Sequence, residues 1–221
     1  MARVLVLRPE PGATRTVERA RERGLEALSV PLFELEPVAW ECPGPSGFDG
    51  LLLTSANAVR CGGERLRKLR GLKIYAVGEA TAEAARDAGF DLAATGDAGI
   101  ERLLGSIEPD LKLLHLCGAD RRNCAHAPQD ITAIVVYRSA AIEAPELSAA
   151  RGSVALIHSP RSGRRFAELV ADRETIAVAA ISDAAAEAVG EGWKAVEVSD
   201  SPTDVALLAL AARLCNNSQP K

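Results

Sequence analysis

Short apolar runs alternate along the chain with longer segments in which Ala, Leu, Arg and Glu recur at helical spacing. Runs this brief, apolar at consecutive rather than alternate positions, are what strands covered on both faces require. They predict strands at Val4–Leu7, Gly50–Leu53, Ile74–Val77, Leu113–Leu116, Ile134–Tyr137, Ala155–His158 and Ala177–Ile181. The segments between them predict helices over Ala13–Arg23, Ala56–Leu69, Ala80–Ala88, Gly99–Ile107, Arg164–Ala171, Ala184–Gly190 and Thr203–Leu214, with Gly24, Gly71 and Gly89 in stop positions. Strand and helix in alternation mark parallel sheets joined by helical crossovers, so the fold class is α/β.

An internal repeat sharpens that reading. Thr54-Ser55-Ala56-Asn57 opens a helix after one strand and Val77-Gly78-Glu79-Ala80-Thr81 opens the next; His158-Ser159-Pro160-Arg161 and Ile181-Ser182-Asp183-Ala184-Ala185 repeat both at an offset of 104 residues. Gly89-Phe90 then answers Gly192-Trp193, and Asp97 answers Asp200, at an offset of 103. Two similar parallel-sheet α/β domains follow, each with a hydroxyl-bearing strand-to-helix turn at the same place. Glu34–Asp49 is Pro-rich and aperiodic, the clearest break in the pattern. Because one strand and helix precede the break while the second repeat follows Tyr137, the expected arrangement is a discontinuous domain of residues 1–36 and 140–221 with an inserted domain of 37–139.

Composition narrows the class. Of 221 residues, 48% are hydrophobic and 25% charged, which excludes a disordered chain, a collagen or a disulfide scaffold. A formal net charge of -4 provides no global basic field for nucleic acid or an acidic membrane, so an anionic ligand must be met locally. The first apolar stretch, Val4–Leu7, is too short for a signal core or a membrane span, and the chain is read as cytoplasmic. Five cysteines without a C-x-x-C pair, and three histidines far apart, point to reduced thiols and no structural zinc. No phosphate-binding G-x-x-x-x-G-K-[ST], no helix-opening G-x-G-x-x-G and no G-x-S-x-G elbow occurs.

Turns at the carboxyl ends of parallel strands are where α/β folds bind ligands, and helix N-termini there favour carboxylates and phosphates. Thr54, Ser55, Asn57, Gly78, Thr81, Ser159 and Ser182 occupy such turns, although Ser, Thr, Asn and Asp are also what any helix N-cap prefers. Arg8 after the first strand, and Gly118 through Arg121 and Arg122 after the fourth, are carboxylate-clamp candidates or, equally, solvated or paired surface cations. Tyr137 ends a strand and is read either as a hydrogen-bond donor or general acid, or as a buried phenol satisfied by a carbonyl. His115 and His158 read as core or edge histidines, and Cys117 has no adjacent base.

Taken together these residues resemble the uroporphyrinogen-III synthase family. The likeness spans nearly the whole chain and rests on Val6-Leu7-Arg8-Pro9, Pro31-Leu32 with Glu36-Pro37, Leu53-Thr54-Ser55-Ala56-Asn57, Ala76-Val77-Gly78-Glu79-Ala80-Thr81, Val136-Tyr137-Arg138, His158-Ser159-Pro160 and Ser201-Pro202-Thr203. It implies two flavodoxin-like α/β layers joined by two strand-like connections, with an active site in the cleft. It implies a cofactor-independent, cyclising lyase of tetrapyrrole biosynthesis, a monomer that turns hydroxymethylbilane into uroporphyrinogen III with loss of water and inversion of ring D. By similarity Tyr137 helps the hydroxyl leave, and Arg8, Thr54, Ser55, Asn57, Gly78, Thr81, Gly118, Arg122 or its neighbour Arg121, Ser159 and Ser182 contact substrate. Where the second repeat of the family often carries a threonine, this chain has Ala184-Ala185-Ala186, leaving Ser182 as the nearest hydroxyl. The rival from another class is a non-catalytic two-domain α/β module that closes on a small anionic metabolite. A paired receiver-type protein is disfavoured because Arg8-Pro9 stands where an acidic cluster is needed.

Overall fold

The computed structural model describes residues 2–97, 99–120 and 127–217. The chain divides into two compact units, one formed by both chain ends (through Glu34 and from Ala141 onward) and one formed by Leu35–Ala140. It passes from one to the other within one strand and at the end of a second.

The first unit holds a five-stranded sheet in the order β11-β10-β9-β1-β2, made of β1 (Val4–Val6), β2 (Ala27–Ser29), β9 (Val154–Ile157), β10 (Ala177–Ala180) and β11 (Ala195–Val198). Every neighbouring pair is parallel, with Val4 opposite both Ala27 and Val154. Each central strand is four or fewer residues long and wholly buried, because helices cover both faces. One cover is α1 (Gly12–Glu22) with α7 (Asp204–Asn217), whose Val17, Leu207 and Leu210 pack on Val6 and Leu156. The other is α5 (Pro160–Leu169) with α6 (Asp183–Val189), where Phe166 is fully buried against Leu5 and Ile157 and stacks on Trp193 at 5.3 Å.

The second unit holds a six-stranded sheet in the order β3-β8-β7-β4-β5-β6: β3 (Phe33–Pro37), β4 (Gly50–Leu53), β5 (Lys73–Val77), β6 (Leu92–Gly96), β7 (Lys112–Gly118) and β8 (Asp130–Ala141). Its parallel ladders carry α2 (Ala56–Cys61), α3 (Glu79–Asp87) and α4 (Ile100–Leu104). Edge strand β3 runs antiparallel to β8, as the bonds Val38 N–H to Val136 O and Ile142 N–H to Leu32 O require.

The repeat is visible as β4-α2-β5-α3-β6-α4 against β9-α5-β10-α6-β11-α7. In each sheet two more parallel strands lie beyond the repeat's first strand: β7 and β8 in one, β1 and β2 in the other. The chain supplies them after the repeat in the second unit and before it in the first, so, edge strand β3 aside, the two sheets share one strand order but differ by a circular permutation.

Four strands were not foreseen from the pattern. β2, β6 and β11 are short or half-exposed, and β3 lies inside the Pro-rich stretch read as a break. The helix expected over 56–69 is instead α2 followed by a 3-10 turn, Gly63–Leu69. Gly63 takes a left-handed φ of 67° there, which ends the α-helix. Gly78 is the N-cap of α3 with φ 82° and ψ 144°, a conformation closed to L-side chains. Gly78→Ala is expected to cost about 1–3 kcal/mol, read as a lower urea midpoint at unchanged slope. Among the described residues, no helix is long and apolar enough to cross a membrane.

Candidate functional site

In an open α/β sheet, a crevice forms at the carboxyl ends of two neighbouring strands whose crossovers run to opposite sides. In the second unit that place lies between β4 and β7: the chain proceeds from β4 to β5 and β6, then returns to the far side of β4 as β7. A cavity of ≈ 370 Å³ opens there, lined by Thr54 and Ser55 after β4, Val77 ending β5, His115 and Gly118 of β7, Asp120, Tyr137 of β8, and Gly99 to Glu101 at the start of α4. Of the residues singled out in the sequence, the fold brings Thr54, Ser55, Gly118 and Tyr137 to this one cavity.

A fault in the ladder aims Tyr137. Cys117 pairs with Val135 but Gly118 pairs with Tyr137, so β8 carries one extra residue at that point. Such a bulge lets two consecutive side chains face one way. Val136 and Tyr137 accordingly both pack on the cluster of Leu51, Leu53, Leu114 and Leu116, and the phenol reaches the cavity. Gly118 makes room for it: a Cβ there would stand 2.7 Å from Cζ and 2.9 Å from Oη of Tyr137.

Thr54 faces His115, Oγ1 to Nε2 3.1 Å, with the imidazole only 2% exposed. The sequence reading of His115 as a core or edge histidine captured its burial but not this place in the cavity wall. Its position within Leu113–Leu116 gave no sign of the partner, which comes from another strand. Glu101 and Asp120 bring two carboxylates to the same lining. Ser55 caps α2, its Oγ accepting from Asn57 N–H at 3.2 Å. Asn57, Gly78 and Thr81 are not among the described lining residues. The Asn57 side chain accepts from Arg60, and Thr81, 5% exposed, shares the buried face of α3 with Ala82 and Ala85. Arg122 lies outside the described residues, as does Arg121.

In the first unit the matching hydroxyls serve as helix caps. Ser159 and Ser162 form a reciprocal capping box on α5, and Ser182 Oγ accepts from Ala185 N–H at 3.3 Å. At the carboxyl ends of β1 and β9 stands a network that the sequence did not disclose. Asp204, at the start of α7, accepts from Thr16 Oγ1 (2.9 Å), Arg19 Nη1 (3.1 Å) and His158 Nε2 (3.1 Å), and Arg8 Nη1 approaches to 3.7 Å. Thr16 is fully buried. Burial by itself raises the Asp204 pKa, but the hydrogen bonds from His158, Thr16 and Arg19 outweigh it and hold the carboxyl well below the usual carboxylate range. Arg8 thus has an acidic neighbour within its own unit, at a distance longer than a hydrogen bond. A second hollow of ≈ 410 Å³ lies between Leu28–Pro31 and the segment 142–149, and its described lining includes none of the predicted residues.

Comparison with known proteins agrees with this architecture. Residues 14–209 match the family model described as Uroporphyrinogen-III synthase HemD. The uroporphyrinogen-III synthase of Chlorobaculum parvum is 32% identical over 92 residues, a stretch that covers 38% of this chain and 37% of that relative. Among solved structures, the uroporphyrinogen-III synthetase of Helicobacter pylori 26695 superposes with a TM-score of 0.69 at 20% identity, covering 97% of this chain and 100% of the other. A mutant uroporphyrinogen III synthase of the extreme thermophile Thermus thermophilus gives 0.52 at 17% identity, covering 98% and 100%. At these identities the two structural likenesses speak for the fold. With a family model spanning most of its length, the chain belongs to the uroporphyrinogen-III synthase family.

Proposed function

We propose that this chain catalyses the cyclisation of hydroxymethylbilane to uroporphyrinogen III. The observation that carries the reading is the cavity at the β4–β7 crevice in a chain of this family, where the bulge of β8 presents the Tyr137 phenol beside Thr54 and Ser55. In the reaction the terminal C–O bond breaks and the hydroxyl leaves as water with one added proton, giving a delocalised azafulvene cation. Ring D attacks at its substituted carbon to form a spiro centre, which reopens and recloses with the ring inverted and loses a proton. Closure without this control takes the uninverted route to isomer I.

The protein's task is therefore positioning: well-oriented intramolecular reactions gain roughly 7–11 kcal/mol from geometry alone. Tyr137 would give a hydrogen bond to the departing hydroxyl. The carboxylates of Glu101 and Asp120 in the same lining suit the positive charge that develops on the pyrrole. Thr54 and Ser55 offer hydroxyls to the pyrrole N–H groups or the acidic arms of the substrate. Arg8, Asn57, Gly78, Thr81, Ser159 and Ser182 remain proposed contacts on the strength of the family likeness. A net charge of -4 fits a small-molecule substrate better than nucleic acid, and we read the protein as a cytoplasmic monomer.

The test is to incubate the protein with freshly made hydroxymethylbilane, oxidise the products and separate the isomer I and III porphyrins. Isomer III in excess over the protein-free control is expected; isomer I alone, formed no faster than in the protein-free control although the protein binds the bilane, would make the chain a binding module. Tyr137→Phe is expected to lower kcat about tenfold, the scale of one hydrogen bond, with thermal unfolding unchanged; an unaltered rate removes the phenol from the reaction.

A further inference from the structure

His115 is a cavity residue to which the proposed reaction gives no task. It sits in β7 among Leu113, Leu114 and Leu116, where an apolar side chain would avoid the cost of desolvating an imidazole. Its backbone is held from both sides, opposite Leu52 of β4 and Ala133 of β8, so the ring is rooted in the middle of the sheet. From there Nε2 meets Thr54 Oγ1 at 3.1 Å, at 2% exposure. A threonine hydroxyl has one proton and two lone pairs and turns freely unless a neighbour claims one of them. A ring that accepts leaves the Thr54 lone pairs facing the cavity; a ring that donates leaves the proton facing it. Either way the direction of the hydroxyl is set before substrate arrives, in a buried setting where hydrogen bonds are strong.

We propose that His115 is a positioning residue for the cyclisation: by fixing the Thr54 hydroxyl it holds the bilane in the curl that leads to isomer III. The inference rests on the reaction proposed above. If it is right, removing His115 releases a less ordered chain, and part of the product closes by the uninverted route. The effect must pass through Thr54, which separates it from a merely structural role.

The experiment is a double-mutant cycle read by kcat, KM and the ratio of isomers. His115→Leu and Thr54→Val are each expected to lower kcat/KM about tenfold, the scale of one hydrogen bond, and to raise the share of isomer I. The double variant is expected to be no worse than Thr54→Val alone. His115→Gln, long enough to reach Thr54, should restore the isomer ratio, while His115→Asn, too short to reach it, should behave like His115→Leu. The polar pair also keeps the test decisive should His115→Leu fold poorly. Additive losses in the cycle, a wild-type isomer ratio in His115→Leu, or equal behaviour of the Gln and Asn variants would each overturn the proposal. These outcomes are distinct from failure of the reaction itself, in which the unaltered protein makes no isomer III.

Discussion

Asp204→Ala is expected to destabilise the first unit by about 3–5 kcal/mol, the cost of removing one partner from a buried charged network. The carboxylate is 11% exposed and joins Thr16, Arg19 and His158. Its loss would leave the buried Thr16 hydroxyl and His158 Nε2 without their acceptor. His158 Nδ1 is already buried with no hydrogen-bond partner among the described residues, so that ring would lose its remaining described bond. Two arginines, Arg8 and Arg19, would lose the carboxylate they share. Asp204→Asn keeps an acceptor and should cost less. The sign of the pH effect follows from the lowered carboxyl pKa: the charged form belongs to the folded state. Its contribution is fully present above the unfolded value near 3.9 and fades as pH falls below that toward the folded value. Urea unfolding at pH 7 and at pH 3 checks both points. The unaltered protein should lose more stability between the two than Asp204→Asn does, and parallel losses would remove the network from the account.

Gly118→Ala is expected to lower kcat about 10²-fold, the penalty that a displacement near 1 Å can carry, while stability changes little. The added methyl collides with the Tyr137 ring at 2.7 Å. A ring end can swing away, which spares the fold, but the swing carries the phenol out of line and into the space proposed for the substrate. Assay of isomer III formation beside thermal unfolding separates the two effects. A larger loss than in Tyr137→Phe is expected because that variant keeps the ring in place; equal losses would mean that only the hydroxyl matters.

The parts legible in the sequence were those whose signal is local. Gly50–Leu53 and Ala177–Ala180 read as strands because every residue is apolar and every residue is buried. Edge strand β6 alternates between half-buried and exposed positions and β11 has no fully buried residue, so their Ala, Thr and Glu residues looked like loop. Thr54, Ser55, Gly118 and Tyr137, which line one cavity, could be singled out because strand ends are where α/β folds place ligands. The Tyr137 side chain owes its aim to a one-residue slip in register, which no composition records. Asp204 was invisible for a different reason: its partners Thr16 and Arg19 lie 188 and 185 residues away, so only the closed sheet unites them.

The permuted strand order sets a timetable for synthesis. β1 finds its neighbour β9 only after some 150 residues have been translated, whereas each ladder from β4 to β8 closes within the segment 50–141. Domains fold as units while the chain is being made, and contacts between distant residues come late. The internal unit can therefore be complete while β1, α1 and β2 wait as a two-stranded arm that still lacks β9. A released chain truncated near residue 145 should already protect the amides of β4 and β7 from exchange, and protect those of β1 far less.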